Sequence, residues 1–280
     1  MKKIISIALA AAMMLCMMFA LASCGSEKII VQTNAFFAPF EYYEGTKIAG
    51  VDVDIMNLVG EKLGKDVEFV NTEFSGIIDS VAEGKVCDAG AAGITITDAR
   101  KEKVDFSTPY YTSVQYVIFA KDDASIKTKT NADGEYVVWE SIAGKTIGTQ
   151  LDTTGWIYVD GEINDGVLSE TNSEHKAFDN AQLAADGIGS NIVDVVVIDQ
   201  LPAEYITSKN TSLKALPLYY AGETDAEDAP VQEEYAICVT KGNTELLNAI
   251  NEVLATLLVA DENGQSEIQK LVMKHMGLDK

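Results

Sequence analysis

Arg100 is the one arginine among 21 basic residues; every other basic position is lysine. A chain that spends lysine on its general charge and keeps a single arginine points to a site needing the planar guanidinium fork, which grips a carboxylate through two parallel hydrogen bonds. Its context, Ala91-Ala92-Gly93-Ile94-Thr95-Ile96-Thr97-Asp98-Ala99-Arg100, reads as a strand of small residues ending at Gly93, with Thr97 placed to cap a helix. Strand ends of this kind are where open α/β sheets bind ligands. Asp199 closes the apolar run Asp194-Val195-Val196-Val197-Ile198 and puts a carboxylate at another strand end, where capping the next helix is the alternative use.

Other polar groups carry less. Asp52 and Asp54 form a DxD pair, but with no third carboxylate nearby they read as helix-capping residues rather than metal ligands. Gly187-Ile188-Gly189 lacks the strand-to-helix setting of a phosphate loop and reads as a turn. His175 and His275 lie far from every motif, and Trp156, just after the pair Thr153-Thr154, reads as core, with the edge of the cleft as the alternative. Cys87 and Cys238 have neither a CxxC neighbour nor a histidine at metal spacing, so zinc and thioredoxin-like chemistry are unsupported. They read as two buried free thiols, with one disulfide between them as the alternative. No HExxH, GxSxG or Cys–His pair is present.

The elements that must hold these residues alternate between strand and helix. Lys28–Thr33 reads as a strand, Val53–Leu63 as a helix with Asp52 available as N-cap and Gly64 as stop, and Val67–Val70 as a strand. Ser75–Glu83 reads as a helix ended by Gly84, and Val86–Ala92 as a buried strand. This order implies parallel pairing through right-handed crossovers. A second set follows, with strands at Thr112–Ala120, Thr146–Thr149 and Asp194–Asp199, while Lys121–Tyr136 and Glu223–Ala229 read as surface loops. A strand at Tyr235–Thr240 and an amphipathic helix at Thr244–Leu258 close the chain.

With 280 residues, 47% of them apolar, the chain has material for one large or two medium cores. A formal charge of −22 argues against nucleic acid, whose phosphates need clustered lysine and arginine. Lys2 and Lys3 precede an almost uncharged stretch from Ile4 to Ser23, the pattern of a secretory signal. Leu21-Ala22-Ser23-Cys24 resembles the bacterial lipobox, which implies a signal peptide over residues 1–23 and a lipidated Cys24. Two or three acyl chains anchor stably, so the mature protein is expected on the outer face of the cytoplasmic membrane or the periplasmic side of an envelope membrane.

The Arg100 segment, followed by Val104-Asp105-Phe106-Ser107-Thr108-Pro109-Tyr110-Tyr111, resembles the signature of bacterial solute-binding protein family 3, the amino acid receptors of ABC importers. Thr33-Asn34-Ala35-Phe36-Phe37-Ala38-Pro39-Phe40-Glu41 resembles that family's first strand and loop. Gly50-Val51-Asp52-Val53-Asp54 resembles its turn into the first helix, with Val51 in place of an aromatic residue. Gly144-Lys145-Thr146-Ile147-Gly148-Thr149-Gln150-Leu151-Asp152-Thr153-Thr154-Gly155 resembles its Gln-x-Gly-Thr-Thr loop, with Asp152 where glycine is common. The likeness runs from about Lys28 to Gly277.

The resemblance implies a periplasmic-binding-protein-like α/β fold of two lobes, residues 24–110 plus 236–280 and residues 114–231. Two hinge crossovers near Tyr111–Ser113 and Gln232–Tyr235 would join them, with one amino acid in the cleft between. It implies that Arg100 grips the ligand carboxylate, helped by backbone N–H groups at Thr95 and Thr154. The physics agrees, since Thr153 and Thr154 open a helix whose free N–H groups favour an anion. Asp199, the Thr95 hydroxyl and the Gly93 carbonyl would meet the ammonium, with Phe37 and Phe74 as aromatic walls and Gln150 in the lining loop. Family members that take basic side chains commonly carry an acid at position 34; the neutral Asn34 points to a neutral, polar amino acid, although Glu41 and Glu44 stand near the rim to receive a cation. The implied partners are that ligand and a membrane permease, for a monomer without cofactor or metal. Two alternatives are a same-fold dehydratase of prephenate- or arogenate-like acids, which needs a general acid over the ligand, a place Glu41 or Glu44 could take, and the sensing domain of a receptor, which needs a membrane span and an output domain.

Overall fold

The computed structural model describes residues 28–222 and 227–278. Cys24 and the leader before it lie outside the described residues, as do residues 223–226 of the second expected loop.

The first lobe starts with β1 (Ile29–Thr33) and a three-stranded meander, β2 (Phe36–Phe37), β3 (Glu41–Glu44) and β4 (Lys47–Ala49). Helix α1 (Val51–Leu63) follows, then β5 (Val67–Asn71), α2 (Phe74–Glu83), β6 (Ala89–Gly90), the short α3 (Asp98–Lys101) and β7 (Val104–Phe106). α1 buries Val51, Ile55, Met56 and Val59 on one face and stops where Gly64 takes a left-handed φ of 64°. Its N-cap is Gly50, at φ 140°, where an added Cβ would come within 2.0 Å of the Phe40 carbonyl oxygen, so only glycine fits this entry.

The chain leaves through β8 (Tyr111–Ala120) and builds the second lobe from β9 (Lys129–Asn131), β10 (Gly134–Val138), β11 (Thr146–Gln150), α4 (Thr154–Asn164), β12 (Glu174–Phe178) and α5 (Ala181–Gly189). It continues with β13 (Val195–Asp199), α6 (Gln200–Lys209), β14 (Leu213–Tyr220) and β15 (Ala229–Pro230). Return is through β16 (Gln232–Tyr235) to β17 (Cys238–Thr240), α7 (Thr244–Leu257) and α8 (Glu267–Met276).

Two separate large sheets result. One runs β5-β1-β6-β17-β7, with β1 parallel to β5 and β6, and β17 antiparallel to β6 and β7. The other runs β12-β11-β13-β8-β14-β10-β9. β16 pairs antiparallel with the first residues of β8, Tyr111 to Val114, before β8 enters the second sheet between β13 and β14. Phe40 packs on both strands of this crossing, its ring 5.1 Å from Tyr111 and 5.0 Å from Tyr235.

Several elements differ from the sequence reading. Strand order around β6 follows it, yet the strand is two residues long rather than seven. The stretch read as the loop Lys121–Tyr136 contains the β9–β10 hairpin, and the single strand expected over Tyr235–Thr240 breaks between Tyr235 and Cys238. Asp52 does not cap α1: its Oδ2 accepts the Gly93 N–H at 3.0 Å and its Oδ1 accepts the Tyr110 hydroxyl. Asp54 pairs instead with Lys274 at 2.8 Å and His275 at 2.9 Å, docking α8 on α1. Cys87 and Cys238 are both buried and free, and burial pushes their thiols up to about 11 and about 12.

Candidate ligand site

Between the lobes lies a small, tightly closed cavity. Asn34, Phe37, Phe74, Gly93, Thr95, Gln150, Thr153, Thr154 and Asp199 line it, together with Glu41 and Ala92. Nine of the ten residues singled out from the sequence are thus brought together; Arg100 alone stands outside the lining.

Each arrives by a local cause. Thr33 ends β1, so Asn34, the next residue, falls at the sheet's carboxyl edge. Gly93, at φ 54°, turns the chain after β6, and a Cβ there would lie 2.8 Å from the Phe37 ring. That bare Cα lets Phe37 close against it. Thr153 caps α4, its hydroxyl accepting the Trp156 N–H at 3.2 Å, which leaves first-turn N–H groups at Thr154 with no acceptor inside the helix. Asp199 occupies the N-cap position of α6 yet makes no capping bond. Its carboxylate turns into the cavity, 4% exposed, and accepts Gln115 Nε2 at 3.1 Å. Burial, then the neighbouring Glu233 charge, hold the Asp199 carboxyl well above the usual carboxylate range.

Arg100 is buried behind the wall, 8% exposed, its guanidinium 5.4 Å from the Phe74 ring centroid. Nη1 donates to the Thr95 carbonyl at 2.8 Å and Nη2 to the Asp152 carbonyl at 2.9 Å, so the fork joins a loop of one lobe to a loop of the other. Asp152 presents that carbonyl from a left-handed φ of 61°. Thr97 caps α3 as the sequence implies, accepting the Arg100 N–H at 3.2 Å. Asn34 is fully engaged in the wall: Nδ2 donates to the Thr72 carbonyl at 2.7 Å and Oδ1 accepts Gln150 Nε2 at 3.0 Å from the opposite lobe.

Asp52, Gln115 and Glu233 were not placed at this site from the sequence, and Glu41 was placed only at its rim. Glu41, read as a rim residue able to receive a cation, is 0% exposed in the lining, and neither carboxylate oxygen has a hydrogen-bond partner among the described residues. Burial raises its carboxyl well above the usual range, and the charges of Asp52 and Asp199 raise it further. Asp52 holds Gly93 from below, its own carboxyl raised to about 6 by burial. Gln115 and Glu233 lie on the crossover strands beneath the cavity, the glutamine donating to the glutamate. Alternation offered one signal: stepping back two from the aromatic Tyr235 puts Glu233 on the inward face. With Glu41, Thr95, Thr154 and Asp199 all buried, a ligand can enter only if the lobes part.

Residues 29–277 match the bacterial extracellular solute-binding proteins, family 3. The arginine-binding extracellular protein ArtP of Bacillus subtilis (strain 168) is 29% identical over 272 residues, covering 92% of this chain and 93% of its own. An ancestral arginine-binding protein, solved bound to arginine, superposes with a TM-score of 0.71 at 32% identity, covering 88% of this chain and 97% of its own. An ancestral arginine-binding protein bound to glutamine gives 0.69 at 33% identity, with 89% and 98% covered.

Proposed function

The chain belongs to the bacterial extracellular solute-binding proteins, family 3, and we propose that it is the receptor of an amino acid ABC importer, closing its lobes on one free amino acid with a cationic side chain. Glu41 carries this reading. A carboxylate buried without any partner costs several kcal/mol if it ionises, and a guanidinium or ammonium supplies both the opposite charge and the missing donors. A neutral amide supplies donors without charge. The neutral polar ligand inferred from Asn34 gives way for a geometric reason: that side chain is tied to Thr72 and Gln150, so the reading of ligand charge passes to Glu41. The arginine-binding proteins among its relatives and structural neighbours support the same class.

Within this reading Asp199 meets the ligand ammonium with the Gly93 carbonyl and the Thr95 hydroxyl, and Phe37 and Phe74 flank the aliphatic stem. Arg100 takes the ligand carboxylate by exchanging the Asp152 carbonyl for it, because a charge-assisted hydrogen bond is roughly twice as strong as a neutral one. The N-terminus of α4 at Thr153 and Thr154 adds its field. Lobe one is taken as residues 24–110 plus 236–280 and lobe two as 114–231, with β8 and β16 as hinge, and Cys24 as the acylated anchor that keeps a monomer beside its permease.

A thermal-shift screen of the mature protein against the twenty amino acids and cystine tests this, followed by chromatographic recovery of the intact ligand. Arginine, lysine or histidine is expected to give the largest rise, since a ligand at 100 times its dissociation constant adds about 2.7 kcal/mol. A rise with glutamine alone contradicts the cationic class, and no rise with any amino acid contradicts the receptor reading.

A further inference from the structure

Glu233 has no part in the roles above, yet it sits at the mechanical centre of the molecule. It lies on β16 opposite Ser113 of β8, between the two crossover strands, and is 5% exposed. Its Oε2 accepts two hydroxyls, Thr95 Oγ1 at 2.7 Å and Thr154 Oγ1, and its Oε1 accepts Gln115 Nε2. Thr95 follows β6 in the first lobe, and Thr154 is the first residue of α4 in the second. The two hydroxyls are 3.3 Å apart. One carboxylate oxygen therefore holds a side chain from each lobe, and both side chains line the cavity.

Other polar ties across the cleft among the described residues, such as Gln150 to Asn34, Arg100 to Asp152 and the Thr95–Thr154 hydroxyl pair, run directly from lobe to lobe. Glu233 differs because it is on the hinge. When the lobes part, it cannot keep both hydroxyls, and a buried carboxylate that loses a donor is costly. Through Gln115, whose amide also reaches Asp199 Oδ1, the same carboxylate is linked to the acid proposed to meet the ligand ammonium.

We propose that Glu233 is the closure latch of this receptor: a positioning residue on the hinge strand that joins Thr95 and Thr154 through one carboxylate oxygen and so stabilises the closed cleft over the open one. This rests on the reading of the cleft as one that closes on an amino acid. Bonds made only after closure slow opening and leave encounter unchanged, so the latch acts on dissociation.

The test uses the full mature chain with L-arginine as probe, comparing wild type, Glu233→Gln, Thr154→Val, their double variant, and Thr154→Ser. Stopped-flow fluorescence gives association and dissociation rates, and spin labels placed on the outer faces of the two lobes give their separation with and without ligand. Glu233→Gln and Thr154→Val are expected to raise the dissociation rate about tenfold or more, the loss of one charge-assisted hydrogen bond, with association within about threefold. The ligand-free population is expected to shift toward wider separations, the double variant to be little worse than either single change, and Thr154→Ser to behave as wild type. Unchanged dissociation rates and lobe separations overturn the latch, as do effects that add fully in the double variant. Should Glu233→Gln fail to fold, the contrast of Thr154→Val with Thr154→Ser decides the matter. Should wild type not bind arginine, the cationic reading fails, while the ligand-free separations still judge the latch.

Discussion

Arg100→Lys keeps a positive charge and removes the fork, so a single ammonium must replace two directed bonds that now reach Thr95 and Asp152. Affinity for the ligand is expected to fall, and Arg100→Ala to fall further, by on the order of 2–5 kcal/mol, roughly 30-fold to several thousand-fold. Calorimetric titration with circular dichroism as a fold control checks this; binding by the alanine variant within about threefold of wild type excludes the clamp. Gly93→Ala meets two obstacles at once, a left-handed φ of 54° and a Phe37 ring 2.8 Å away. It is expected to cost about 1 kcal/mol or more in urea unfolding and to weaken binding by displacing the aromatic wall. At this scale the sequence was most legible where residue type and position coincide. Arg100, Asp199 and Thr154 stand at strand or helix ends, and a lone arginine is a compositional signal. Glu41 was legible only as a rim acid able to receive a cation and Glu233 not at all, because an acid beside a turn or on a crossing strand looks like ordinary surface charge until the opposite lobe covers it.

Among the elements, α4 depends on its cap. Thr153→Ala removes the acceptor for the Trp156 N–H and is expected to cost about 1 kcal/mol of stability, with a further loss of affinity because the first turn of α4 faces the cavity. Thr153→Ser is expected to restore both, and equal binding by the alanine variant separates the cap from the ligand. Long periodic segments such as α1, α7 and β13 could be read from the sequence because burial imposes their spacing. Short ones could not. β6 shrinks to Ala89–Gly90 because its length is set by where β1 and β17 can pair with it, and the β9–β10 hairpin is exposed and polar at β9. The misread role of Asp52 has the same origin: an acid at a helix start is usually a cap, and only the fold shows Gly93 and Tyr110 waiting for it.

For the molecule as a whole, element order gave two successive sets of strands and helices and the family resemblance gave their division into two lobes, whereas closure of the cleft was not legible, since it depends on contacts between lobes far apart in sequence. Closure without a ligand gathers buried acids, and this sets a pH dependence. Asp52 titrates at about 6 in the fold against an ordinary value near 4, and Glu41 and Asp199 are raised as well. The native state therefore holds protons that the unfolded chain has lost, and stability falls as pH rises through this window, by on the order of 3 kcal/mol for Asp52 alone. His175, lowered by burial, opposes this with a single group. The ligand-free protein is thus expected to melt higher near pH 5 than near pH 7; a lower melting temperature at the acid end contradicts that balance. A cationic ligand should reverse the trend by ionising Glu41, and this leads to the most direct measurement. Calorimetric titration of L-arginine and L-glutamine into wild type and Glu41→Gln near neutral pH should show wild type preferring arginine, and the variant losing arginine affinity by about 30-fold or more while glutamine is little affected. An arginine-to-glutamine preference unchanged by Glu41→Gln would contradict the account.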